Sequence, residues 1–157
     1  MNARTSYTQI RYIGVQNDGK ELVRVNRHDD GFEMVPVSLL QAKSGESYFQ
    51  KALTLAPGDA YFSKVTYNRE LGKLDRELVP TLRVVVPIFD LDGAIFGMVV
   101  INADYAAMLR SRFEAINIAR NIIVSNESGD YMEQRADGTV ADFRYNTGGS
   151  SDPDALL

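Results

Sequence analysis

Arg83 is the side chain whose setting best suits a charged ligand. It alternates along its strand with Val85 and Pro87, while Leu82, Val84, Val86 and Ile88 point the other way, and both sets are mainly apolar. A guanidinium in that setting lies on a partly covered surface, where its planar fork of donors matches a carboxylate or an internal ion-pair partner. The strand ends at Asp90-Leu91-Asp92-Gly93, a hairpin turn, and the chain resumes as a strand from Ile95 to Ile101. An even-length loop there pairs residues whose numbers sum to an odd value, so Arg83 shares a face with Phe96, Met98, Val100 and Asn102. Asn102 closes an otherwise apolar strand, and its amide needs partners if buried. Together Arg83 and Asn102 form a clamp for a carboxylate-bearing ligand. The stretch Tyr61 to Tyr67 is predicted as a further strand, with Tyr61, Ser63, Val65 and Tyr67 on one side. Aromatic walls and a hydroxyl suit a small polar ligand, although tyrosines in sheets also serve as core residues with a wet tip. The candidate ligand-binding residues are therefore Arg83, Tyr61, Ser63, Tyr67 and Asn102.

Other chemistry is scarce. The 157 residues contain no cysteine and a single histidine, His28, which removes thiol nucleophiles, zinc fingers, disulfide scaffolds and histidine-based triads. His28 lies in the polar run Asn26–Asp30 and is expected to be a solvated loop residue. Asp90, Asp92 and Asp130 could meet around a cation, but acidic hairpin turns ordinarily satisfy their own backbone, so no metal and no cofactor are expected. Gly72-Lys73 lacks the rest of a phosphate-binding loop, and Asp75 and Glu77 have no recognisable base beside them. No catalytic residue is assigned, and the chain is not expected to be an enzyme. Seventeen Lys and Arg against 21 Asp and Glu give a net charge of −4, without the basic footprint of a nucleic-acid-binding protein.

The elements that position these groups recur in a pattern. An apolar run, a turn rich in Asn, Asp and Gly, and a second extended run occur at Ile10–Val25, Val84–Ile101 and Asn121–Met132. Each is predicted as a β-hairpin, because Gly and Asn tolerate the positive φ such turns demand. Between the first two, Val35-Pro36 opens a helical segment through Leu40. Phe49, Ala52, Leu53 and Ala56 then fall on one helical face until Pro57-Gly58. A second helix is expected from Asp104, with Tyr105, Leu109, Phe113 and Ile116 along one stripe. The fold class is α+β, an antiparallel sheet with helices packed on it. Residues 1–117 form the main domain, 118–145 the start of a second, incomplete unit, and 146–157 a tail of loop composition expected to be poorly ordered. The apolar runs are of strand length, far below the roughly 20 residues of a membrane span, and Met1–Ser6 show no signal-peptide pattern.

Several of these runs resemble the double Cache sensor domains. They are Tyr7–Ile13, Gly19–Val25, Leu40–Lys43 with Tyr48-Phe49, Tyr61–Ser63, Asn68–Gly72, Pro80–Arg83, Pro87–Asp90, and Gly97 with Ile101-Asn102. The resemblance covers residues 7–105 in order. It implies a PAS-like central antiparallel sheet flanked by helices, in the extracytoplasmic, periplasmic portion of an inner-membrane protein. Such modules serve bacterial histidine kinases, diguanylate cyclases and chemoreceptors. The stalk helix, membrane helices and output domain would then lie outside this chain, with membrane contact only through them, and the hairpin at Asn121–Met132 is similar to the start of the membrane-proximal unit. By strand position Tyr61, Arg83 and Asn102 occupy places comparable to those of amino-acid-binding relatives. Asn102 stands where those binders carry Asp, and tryptophan is absent, which points away from an ammonium–carboxylate contact and leaves a carboxylate or another small metabolite. The expected function is thus non-catalytic sensing of a small polar molecule in signal transduction. The alternative is a structural module that forms a homodimer and has no ligand of its own.

Overall fold

The computed structural model describes residues 6–70, 73–74, 78–116, 120–137, 139, 141, 143–144 and 146. Asp75, Glu77 and the tail beyond Asn146 lie outside the described residues. Strands β1 (Tyr7–Gly14), β2 (Glu21–His28) and β3 (Gly31–Met34) precede a 3-10 turn at Val37–Leu39 and helix α1 (Ser47–Ala52). Short strands β4 (Tyr61–Phe62), β5 (Thr66–Tyr67), β6 (Arg69–Glu70) and β7 (Lys73–Leu74) follow, then the long pair β8 (Pro80–Phe89) and β9 (Ile95–Asp104). Helix α2 (Tyr105–Ile116) leads to β10 (Ile122–Ser125) and β11 (Tyr131–Gln134). The main sheet is antiparallel in the order β3-β2-β1-β9-β8-β4, with β5 also on β8. This is the α+β architecture expected, and no helix among the described residues is long and apolar enough to cross a membrane.

The β8–β9 hairpin forms because both strands are dense in β-branched residues and Asp90 organises the turn. Its Oδ1 accepts the backbone N–H of Asp92 and Ala94, and Gly93 takes φ +81°. In the ladder Arg83 pairs with Asn102, Val85 with Val100 and Pro87 with Met98, the register expected. A bulge between Ile88 and Phe89 leaves Phe96 out of it, and Phe96 is exposed rather than on the sheltered face. The β1–β2 connection, residues 15–20, is longer than a two-residue hairpin loop and coils through a short helical turn at Gln16–Gly19, where Asn17, Asp18 and Gly19 all adopt left-handed φ. A Cβ on Gly19 would lie 2.8 Å from the Phe49 ring and from the Ser44 nitrogen, so this turn is locked beneath the segment leading into α1.

One face of the sheet carries the core, where Ile13, Val85, Met98 and Val100 meet Tyr48, Phe49 and Ala52 of α1. The helix stops at Ala52, so Phe49 and Ala52 are buried as expected while Ala56 lies beyond it, exposed. The opposite face leaves Ile10, Val23, Phe32, Met34 and Val86 exposed. Strand β3 leaves both of its large apolar side chains, Phe32 and Met34, exposed and pairs with β2 through its backbone. It turns the polar run at 26–30 into a hairpin, so His28 ends a strand instead of lying in a loop, and its Nε2 sits 3.1 Å from Glu33 Oε2 in solvent. Strands β10 and β11 form their own two-stranded sheet, and Tyr105 of α2 meets Phe143 edge to face at 5.5 Å.

Candidate functional site

The predicted single strand at 61–67 is two short strands joined by an arch. Tyr61 pairs with Val85, whereas Thr66 pairs with Thr81, so both halves line the same edge of β8 and residues 63–65 arch across the two β8 positions between them. The arch is fastened to Arg83 at both ends. Ser63 Oγ accepts the Arg83 backbone N–H at 2.9 Å, and the Ser63 N–H returns a bond to the Arg83 carbonyl. The guanidinium donates to Thr66 Oγ1 at 2.8 Å, the Tyr67 carbonyl at 3.4 Å and Asn68 Oδ1 at 3.3 Å. Its carbon lies 5.9 Å from the centre of the Tyr48 ring, within cation–π range.

Asn102 is fully buried beside it. Its Nδ2 donates to Gln9 Oε1 at 3.0 Å and Asn68 Oδ1 at 3.3 Å, while its own Oδ1 has no hydrogen-bond partner. One amide oxygen, that of Asn68, therefore joins Arg83 to Asn102.

A cavity of about 520 Å³ opens between the arch, α1 and the sheet. That volume suits a small metabolite. Tyr61, Ser63, Tyr67 and Arg83 all line it. Asn102 is not among its lining residues; it backs the wall through Asn68 and does not form part of it.

Arg11, Lys43, Tyr48, Lys64, Thr66 and Asn68 line the cavity as well, beside the carboxylate of Glu46. Sequence reasoning missed Arg11, which shares its strand face with Ile13. That face becomes legible only once β1 is known to pair with β9, nearly ninety residues away, where Arg11 meets Val100. Arg11 is held from behind, its Nε 3.0 Å from Glu21 Oε1; Arg24 approaches the other Glu21 oxygen at 3.5 Å, and that oxygen also accepts the Gln41 N–H. Lys43 is buried, donating to Gln41 Oε1 at 3.1 Å and lying 3.9 Å from Glu46. Tyr48 is the most perturbed group here: burial pushes its phenol up to about 12, with the Arg11 charge offsetting part of the rise. Burial also raises the phenol of Tyr67.

Asp90 spends its carboxylate on its own turn, and Asp130 accepts from Asn126 and from the Asn146 backbone. Among the described residues no group of acidic and histidine side chains is arranged to hold a metal ion.

Residues 1–146 match the family described as bacterial histidine kinase, sensor domain. Among solved structures, the chain superposes on a domain of a Vibrio parahaemolyticus protein described as sensory box/GGDEF family, with a TM-score of 0.64 and 24% identity. The match covers 82% of this chain and 47% of that one, and at this identity it speaks for the fold alone. The extracellular domain of vpHK1S-Z8, described as a histidine kinase, matches with a TM-score of 0.62 and 25% identity over 80% of this chain and 44% of that chain. The chain thus spans less than half the length of either structure. No curated protein matches it.

Proposed function

The chain belongs to the family of bacterial histidine kinase sensor domains, and from that membership we propose that it is the extracytoplasmic, ligand-sensing part of a membrane-bound signalling protein. It binds a small polar metabolite, a carboxylate being the chemistry the site suits, and does no catalysis. The observation that carries this reading is the cavity itself: Arg83, Tyr61, Ser63 and Tyr67 line one hollow with further basic and aromatic side chains. A guanidinium whose backbone and side chain both tie down an arch couples occupancy to shape. A ligand that draws on Arg83 competes with Thr66, Tyr67 and Asn68 for its donors, and the arch shifts relative to β8. Such a ligand moves a two-state equilibrium by as much as it prefers one arrangement. The extracellular setting of vpHK1S-Z8 supports placing this domain outside the cytoplasm.

A thermal-shift screen of carboxylates, amino acids and amines tests the reading. A carboxylate response lost in Arg83→Lys, with the melting transition retained, is the expected result. Arg83→Lys is preferred to alanine because alanine would also release the arch. A chain that ignores every compound and sediments as a concentration-dependent dimer would instead be a structural module.

A further inference from the structure

The cations of the cavity wall are not equivalent. Arg11 is engaged by Glu21, Lys43 lies between Gln41 and Glu46, and Arg83 spends donors on Thr66, Tyr67 and Asn68. A ligand that meets any of these three must share or displace a bond the protein already makes. Lys64 is the exception. It lines the same cavity and is exposed, and its ammonium makes no hydrogen bond or ion pair among the described residues. Its backbone is nevertheless fixed. The Ser63 hydroxyl donates to the Lys64 carbonyl at 2.7 Å while its oxygen accepts the Arg83 N–H, and Val65 on the other side is buried. The arch thus sets a strongly hydrated ammonium, on a flexible four-carbon stem with a pinned base, at the rim of the hollow.

We infer that Lys64 is the recruiting residue of this site: its ammonium pairs with the carboxylate of an anionic ligand at the rim and carries that contact into the arch. This rests on the cavity being the ligand site and adds the residue that distinguishes an anion from a neutral molecule of the same shape. Pairing takes from Lys64 only water and the freedom of its stem, whereas Arg11, Lys43 and Arg83 each have an internal partner to give up. An exposed charge at an entrance acts on the encounter and is screened by salt, a signature distinct from that of the buried Arg83. With Lys64 on the ligand and Ser63 on Arg83, an occupied site holds the arch from both sides.

The test is calorimetric titration of the full chain with succinate and citrate, and with succinamide as the neutral control, at about 0.01 M and about 1 M salt. At least one of the two anions is expected to bind, and succinamide is not. Lys64→Gln should weaken the anion about fivefold at low salt, the worth of an exposed ion pair. At high salt, where screening acts within about 3 Å, the difference should fall below about twofold. Lys64→Arg keeps the charge and should stay within about twofold of wild type. Neither substitution should shift the unliganded melting transition, because the side chain is exposed. Equal affinity in Lys64→Gln and wild type, a loss that salt does not reduce, or Lys64→Arg as weak as Lys64→Gln overturns the inference. Binding of succinamide as tight as that of the anions does the same. If Arg83→Lys still weakens the anion in any of these cases, the cavity remains the ligand site and only the role of Lys64 falls. If neither Lys64→Gln nor Arg83→Lys affects binding, or neither anion binds, the cavity reading falls with it.

Discussion

Replacing Tyr48 by Phe should make the unliganded protein more stable. In most cores this substitution is destabilising, because a buried tyrosine hydroxyl usually has a partner to lose. Here the hydroxyl is buried without one, and phenylalanine keeps the ring that packs with Ile13, Val85 and Val100. An unsatisfied buried polar group costs about 1–3 kcal/mol, so its removal should return a gain of that order. For a domain of this size each kcal/mol moves Tm by roughly 2–4 °C, giving an expected rise of about 2–12 °C in a calorimetric scan at neutral pH.

The difference should widen in alkali. Below pH 10 the phenol is protonated in both folded and unfolded chains, and pH has no effect through it. Above pH 10 the unfolded chain releases this proton, while burial holds the folded one until about 12. Rising pH therefore favours unfolding of the wild type across that window and not of the variant, by about 3 kcal/mol once both forms have titrated. Urea unfolding at pH 9, 10 and 11 would measure the divergence. A variant that melts lower than wild type at neutral pH, or two pH curves that stay parallel, would show that the hydroxyl has a partner in solution and that the reasoning from its isolation is wrong.

Three further outcomes follow from the same contacts. Gly19→Ala should lower the free energy of urea unfolding by at least the roughly 1–2 kcal/mol of a left-handed alanine, since the new Cβ also strikes the Phe49 ring and the Ser44 nitrogen. Glu21→Gln removes the carboxylate between Arg11 and Arg24 and should destabilise by about 3 kcal/mol in equilibrium unfolding, the cost of stranding buried charge. Asn68→Asp sets a carboxylate against Arg83 and Asn102 and should weaken the binding of a carboxylate ligand by about tenfold in titration, because the site then carries its own anion.

The hairpin that carries Arg83 was legible because its evidence is local. Two β-branched runs and an Asp-rich turn fix both strands and their register, and Arg83 faces Asn102 as the turn arithmetic requires. Alternation failed where geometry overrode it. A single strand from Tyr61 to Tyr67 would hide Thr66 on the face away from Arg83, but the arch resets the alternation and delivers the Thr66 hydroxyl to the guanidinium. Asn68 stands out in the sequence only as the start of the Asn68–Gly72 run, and nothing local marks its oxygen as the acceptor for two distant donors. Arg11 and Tyr48 reach the cavity through the β1–β9 pairing and through the docking of α1, both contacts between segments far apart in the chain. Periodicity also carried the first helix one turn too far, to Ala56, where exposure offers no packing to sustain it.

The junction between β9 and α2 contains no spare residue. Asp104 closes the strand, its N–H donating to the Ser6 carbonyl at 2.7 Å, and its carboxylate accepts the N–H of Ala107 in the first turn of the helix. The twelve residues of α2 make a rod about 18 Å long. A tilt of about 5° at its base swings the far end by about 1.5 Å, a displacement comparable to the rise of one helical residue. Two residues upstream of that fulcrum is Asn102, so a small rearrangement around the Asn68 oxygen acts on the short arm of a lever whose long arm is the helix.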